Sequence, residues 1–88
     1  MPFIYILKSL KVTNWHYTGS CNSVEDRFKQ HVKGSVRSTK SKRPLSLIYR
    51  REFNTLTEAR KFELYLKSPA GYWEKKKIIK DSNNNKIN

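Results

Sequence analysis

The chain has 88 residues, with 19 Lys and Arg against 7 Asp and Glu, and a formal net charge of +12 at pH 7. That length allows one small domain and no second recognition domain. The single cysteine, Cys21, excludes an internal disulfide and a multi-cysteine zinc site, and its simplest setting is a reducing cytosol. The longest apolar run, Phe3 to Leu7, is stopped by Lys8, far short of the ~20 residues of a membrane span. No basic segment precedes it, so no leader is expected. Apolar residues make up 36% of the chain and cluster in periodic segments, which excludes full disorder and allows a compact, thin core. The charge points to a polyanion: nucleic acid first, an anionic membrane surface second.

In chain order, Phe3-Ile4-Tyr5-Ile6-Leu7 is aromatic and β-branched and reads as a buried strand. Trp15 to Thr18 reads as a second strand, ended by Gly19, with a hairpin turn at Val12-Thr13-Asn14. Ser23 is placed to cap a helix, with Asp26 three residues on. Val24, Phe28 and Val32 recur every four residues as an apolar stripe, and Gly34 ends the helix. Residues 35–44 form a polar, basic connection. Leu45 to Phe53 reads as a strand, with Leu45, Leu47, Tyr49 and Phe53 on one face and Ile48 on the other. Its continuous apolar run at Leu47-Ile48-Tyr49 suggests a centre buried on both faces. Thr55 and Glu58 have capping-box spacing, and Ala59, Phe62 and Leu66 share one side of the helix behind them. Ser68 to Gly71 stops that helix. Tyr72 to Lys80 reads as a short last helix, and residues 81–88 as a frayed, disordered polar tail. The order ββαβαα predicts an α+β domain over residues 1–80, a small three-stranded mixed sheet flanked by about three helices.

Several residue groups can carry chemistry. From Arg27 to Arg43 there are seven basic residues and no acidic one: Arg27, Lys29, Lys33, Arg37, Lys40, Lys42 and Arg43. Ser38, Thr39 and Ser41 are interleaved and can hydrogen-bond phosphate oxygens. One sign throughout is unlike an ordinary mixed surface, so Lys29, Lys33, Arg37, Lys40, Lys42 and Arg43 are candidate phosphate contacts. Tyr5 and Tyr17 sit on strands expected to pair; pattern alone favours packing, but a phenol can also move a proton. Arg27 and His31 are four apart on one helical face, a phosphate fork beside a proton carrier or simply an exposed basic face. Glu63 is mid-helix, either one oxygen ligand for a hard dication or an ordinary pair with Lys67. Cys21 reads as a small loop residue and His16 as a strand residue near the turn.

Taken together, these residues resemble the GIY-YIG nuclease family from about Phe3 to Lys80. Phe3-Ile4-Tyr5 corresponds to the first motif and Tyr17-Thr18-Gly19 to the second. The helix Asp26 to His31, Lys42-Arg43-Pro44 before the Leu47-Ile48-Tyr49 strand, and the Glu58-Ala59 and Glu63 helix follow in the family's order. The chain is most similar to its small standalone bacterial members. The resemblance implies a three-stranded sheet flanked by helices and metal-dependent phosphodiester hydrolysis. It implies that Glu63 is the metal-ligating glutamate, for Mg²⁺ or Mn²⁺. It implies that Arg27 contacts the scissile phosphate, and that Tyr5 and Tyr17 are the motif tyrosines, one a general base. His31 occupies a position where the family places His or Tyr. Phe3 stands where many members have Gly, Thr18 where the motif has Ile, and Ser20 where some repair-type members have Lys. No Asn follows the glutamate helix within Tyr72 to Lys80.

The leading expectation is therefore a cytoplasmic endonuclease acting on DNA, ahead of RNA, structure-selective or of low sequence specificity. So small a domain has little surface for base readout, so a protein partner that supplies specificity is also expected, and no membrane. The alternative is a non-catalytic nucleic-acid-binding module with the same fold, and a third reading is a small RNA-associated structural protein.

Overall fold

The computed structural model describes residues 1–85. Its sheet has three strands: β1 (Phe3–Ser9), β2 (His16–Cys21) and β3 (Leu45–Glu52). The helices are α1 (Val24–Lys33), α2 (Arg37–Lys40), α3 (Leu56–Lys67) and α4 (Tyr72–Asn85), with a 3₁₀ turn at Pro69–Gly71. The α+β class and the three-stranded sheet are as expected.

The mixed sheet is corrected. The strand order is β2-β1-β3, and both neighbouring pairs are antiparallel. A strand–helix–strand passage does leave β2 and β3 running the same way. However, β1 lies between them, so no parallel pair forms. As the central strand, β1 is buried on both faces: Ile4, Tyr5, Ile6 and Leu7 are each at most 2% exposed. Burial of Ile4, Ile6 and Leu7 contributes about 1.5–3 kcal/mol each.

The alternation along β1 divides the molecule into layers. Ile4 and Ile6 meet Ala59, Phe62 and Leu66 of α3 and Ile78 of α4. Tyr5 and Leu7 face the other way, against Tyr17, Phe28 of α1, Leu45 and Leu47.

The expected alternation of β3 fails at one residue. Ile6 pairs with Tyr49 and Leu7 with Leu47, so Ile48 is an extra, unpaired residue at a bulge. The bulge resets the side-chain period. Tyr49 and Ile48 both pack on the α3 face, while Leu45 and Leu47 stay on the α1 face. The apolar run therefore belongs to an edge strand with a bulge, not to a strand buried on both faces.

The helix starts follow local chemistry. Ser23 Oγ accepts from the Asp26 amide at 3.3 Å, and Thr55 Oγ1 from the Glu58 amide at 3.1 Å, each satisfying an otherwise unpaired amide. Gly34 closes α1 at φ 86°, a left-handed conformation that suits glycine. Its amide bonds to the His31 carbonyl, and the Ser35 amide to the Gln30 carbonyl. Three further expectations change. Val32 is 52% exposed and His31 is fully buried, because the inward arc of α1 runs from Val24 through Phe28 to His31 and Val32 has rotated past it. The basic connection contains the short helix α2. The last helix continues to Asn85, so residues 81–85 of the expected disordered tail are helical, and residues 86–88 lie outside the described residues. Among the described residues no helix is long and apolar enough to cross a membrane.

Gly71 fixes the corner between α3 and α4. A Cβ there would collide with the Tyr65 carbonyl. Gly71→Ala is expected to cost about 1–3 kcal/mol through this forced displacement, read as a lower denaturant midpoint. An unchanged midpoint would contradict the close approach.

Candidate active site

Tyr5 points from β1 toward α1. Its hydroxyl lies 2.8 Å from His31 Nε2, and His31 Nδ1 lies 2.7 Å from Thr39 Oγ1. Tyr5, His31 and Thr39 are all buried. Thr39 Oγ1 in turn donates to the Val36 carbonyl at 3.4 Å. A consistent chain of donors follows. Thr39 gives its proton to Val36 and accepts from His31 Nδ1–H, leaving Nε2 to accept the Tyr5 proton. Burial, helped by the Arg27 charge, pushes His31 down to about 4. Burial, with a smaller contribution from Tyr17, pushes Tyr5 up to about 12 against the opposing pull of Arg27. At neutral pH both groups are uncharged, which is the inexpensive way to bury them.

Gly19 makes this arrangement sterically feasible. It pairs with Tyr5 across β1 and β2, and a Cβ on it would stand 2.6 Å from the Tyr5 oxygen. The glycine of the second motif is thus required by the tyrosine of the first. Sequence reasoning placed Gly19 as a strand end and as part of the second motif, without its contact to Tyr5, and counted Thr39 as one hydroxyl among the lysines. Thr39 is eight residues from His31, and only the fold of α1 onto α2 joins them.

Tyr17 completes a triangle of rings, 6.2 Å from Tyr5 and 5.2 Å from His31 between centroids. The Arg27 guanidinium lies beside both phenols, and its interaction with them, Tyr5 first, raises its own pKa. It also donates to Gln30 Oε1 at 2.7 Å. Four of the expected site residues, Tyr5, Tyr17, Arg27 and His31, therefore converge on one face of the sheet.

Glu63 arrives from the other layer. Lys67 Nζ is 2.7 Å from Glu63 Oε2 and 5.8 Å from the Tyr17 ring centroid. Since β2 is an edge strand, α3 reaches round it and sets the Glu63–Lys67 pair against the Tyr17 side of the cluster. The Glu63 side chain is 18% exposed. The helix pair read as an ordinary alternative is formed, and its Lys67 end links the carboxylate to the Tyr17 side of the cluster. Among the described residues no group of three or more His, Cys, Asp and Glu could hold a metal ion. Glu63 is therefore not part of a preformed set of three or more protein ligands. Such a donor suits a hard dication whose remaining ligands are water and phosphate oxygens, not a closed protein cage.

The basic residues divide. Lys29, Lys33, Arg37 and Lys40 are exposed on α1 and α2. Lys42 lies 5.6 Å from the Trp15 ring centroid. Arg43 donates to the carbonyls of Lys40 and Val32 at 3.0 and 3.2 Å, clamping α1 to α2 against Gly34. Arg50 pairs with Glu25 at 2.9 Å over the Phe3 ring. Cys21 ends β2, and burial pushes its thiol up against the opposing charges of Arg27 and Arg50, which suits a packing residue.

A family model described as the GIY-YIG catalytic domain matches residues 1–77, and the chain belongs to that family. Among curated relatives, the UPF0213 protein YazA of Bacillus subtilis is 38% identical over 66 residues, 74% of this chain and 65% of its own length. The UPF0213 protein CPE1444 of Clostridium perfringens is 35% identical over 76% of this chain and 71% of its own. The UPF0213 protein SSP2268 of Staphylococcus saprophyticus is 36% identical over 75% and 79%. The chain thus spans just under two thirds of the first of these relatives. No solved structure matches it.

The His31 environment has a pH consequence. The unfolded imidazole takes its proton near 6.5 and the folded one near 4. Between those values the unfolded chain binds more protons, so stability falls as pH drops from 6.5 toward 4. Thermal midpoints measured across that range should show the slope, and His31→Gln should flatten it. An equal slope in both proteins would place the titration elsewhere.

Proposed function

We propose that the chain is a divalent-metal-dependent endonuclease that hydrolyses phosphodiester bonds in DNA, structure-selective or of low sequence specificity. The observation that carries this reading is the convergence of Tyr5, Tyr17, Arg27 and His31 beside the Glu63–Lys67 pair. Two phenols, a guanidinium, a neutral imidazole and a carboxylate in one place supply every role that phosphodiester hydrolysis needs from protein. Structural packing alone gives no reason for this set to meet.

The roles follow from the geometry. Arg27 is held beside both phenols and carries the fixed charge that suits a non-bridging phosphate oxygen. Glu63 would hold Mg²⁺ or Mn²⁺. When bound, the cation supplies charge that polarises the phosphodiester. Lys67 pairs with the same carboxylate and must yield it to the cation. Tyr5 donates to His31 in this chain of hydrogen bonds, and with its pKa raised to about 12 almost none of it is phenolate at neutral pH, so its work is to hold the cluster in register. Tyr17 lies on the Lys67 side and is the phenol we assign to orient the attacking water and take its proton. The exposed Lys29, Lys33, Arg37 and Lys40 are placed to track the backbone phosphates, which orients DNA without reading its sequence. With so little surface for base contacts, a protein partner is the natural source of specificity.

The test is a cleavage assay on labelled linear, nicked, flapped and branched DNA with Mg²⁺ or Mn²⁺. Wild type should cut only with the metal. Glu63→Ala should lose at least 100-fold in rate, the scale of removing an electrostatic contact from the transition state. Binding should persist in that variant within about threefold, because the phosphate contacts remain. Equal binding by both proteins with no cutting by either would instead mark a non-catalytic nucleic-acid-binding module.

A further inference from the structure

The candidate site does not account for the surface of α4. Tyr72 and Trp73 are 48% and 75% exposed. Their rings meet edge to face, 5.1 Å between centroids at 80°, and Lys76 Nζ stands 5.2 Å from the Tyr72 centroid. Between α4 and the end of α3 runs a groove of about 760 Å³. Leu66 and Ile79 line its apolar part, Tyr72 one wall, and Lys67, Lys75 and Lys76 supply its charge. Tyr72, Lys75, Lys76 and Ile79 follow helical spacing and share one face of α4.

The acidic side of α4 is turned away. Ile78 packs into the core, and Glu74 acts on Tyr65. Among the described residues no carboxylate lines the groove. Lys75 is pushed down by burial first and by the neighbouring Lys67 second. An anion entering the groove would offer Lys75 an opposite charge. Lys67 belongs both to the groove and to the Glu63 pair, so one side chain is shared by the groove and the candidate site.

We propose that this groove, together with the exposed Trp73 ring that meets its Tyr72 wall, receives an unpaired DNA strand adjoining the bond to be cut, with bases stacked on Tyr72 and Trp73 and phosphates held by Lys75 and Lys76. Exposed aromatic faces interleaved with lysines are the chemistry of single-strand binding. Paired bases are already stacked and offer such rings nothing, whereas a duplex is held by charge alone. A second copy of the chain is opposed by its own net charge of +12. The inference rests on the nuclease reading only for what lies at Glu63; strand binding itself requires no cutting.

The experiment measures anisotropy of a labelled 15-nucleotide thymidine strand and a 15-base-pair duplex, without divalent metal. Wild type is compared with Trp73→Ala and Trp73→Tyr. Loss of one stacking ring should weaken strand binding roughly 5- to 100-fold in Trp73→Ala. Duplex binding should change less than twofold, and Trp73→Tyr should restore most of the strand affinity. Strand binding by Trp73→Ala equal to wild type overturns the proposal, as does a wild-type dimer that the strand fails to dissociate. Metal-dependent cutting of DNA by wild type is scored separately. Cutting without Trp73-dependent binding leaves the nuclease reading and removes the strand site; binding without cutting does the reverse.

Discussion

The hydrogen bond from Tyr5 to His31 joins the central strand to α1 inside the protein, and most of the site geometry depends on it. A buried phenol and imidazole remain together only if both are neutral and every polar atom finds a partner. Thr39 satisfies the far nitrogen of His31, which gives the short helix α2 a reason to fold back against α1. Gly19 leaves space for the Tyr5 hydroxyl. Arg43 ties the carbonyl ends of α1 and α2 together and keeps Thr39 in reach. Tyr17 packs against these rings, and Arg27 lies beside both phenols with Gln30 as a further partner.

The second constraint is the position of β1 in the sheet. Because it is buried on both faces, the chain must build a helical layer on each. The phenols and His31 belong to one layer and Glu63 to the other. They meet only because β2 is an edge strand and α3 packs across it. The Glu63–Lys67 pair is modest as a stabilising contact, since partly exposed helix pairs contribute only about 0.3–0.5 kcal/mol. Its consequence is positional: it holds a carboxylate at the rim of a cluster that lacks one.

Much of this was legible from local chemistry. The Phe3 to Leu7 strand, the caps at Ser23 and Thr55, and the Ala59, Phe62 and Leu66 stripe are all local patterns, and the structure has each of them. What escaped depends on contacts distant in sequence. The bulge at Ile48 is a matter of register between strands, so the 47–49 run looked like a strand buried on both faces. Val32 fits a four-residue repeat as well as His31 does not, yet the helix turns His31 inward because Tyr5 and Thr39 wait there. A histidine partnered on both sides leaves no mark in its own neighbourhood. The antiparallel sheet was hidden for the same reason, since strand order is not written in spacing. The meeting of Tyr5, Tyr17, Arg27, His31 and Glu63 was suggested by family resemblance and not by any one motif. The basic run looked uniform, but the structure separates the exposed Lys29, Lys33, Arg37 and Lys40 from Arg43, whose donors are spent on backbone carbonyls.

The central claim is that a neutral, buried His31 organises the two tyrosines. The most direct measurement is a nitrogen NMR titration of the His31 ring, assigned by comparison with His31→Gln. The account predicts a neutral ring with its proton on Nδ1 and Nε2 bare, persisting below pH 5, consistent with a pKa near 4. A ring that becomes imidazolium near its ordinary value of 6.5, or one carrying its neutral proton on Nε2, would contradict it.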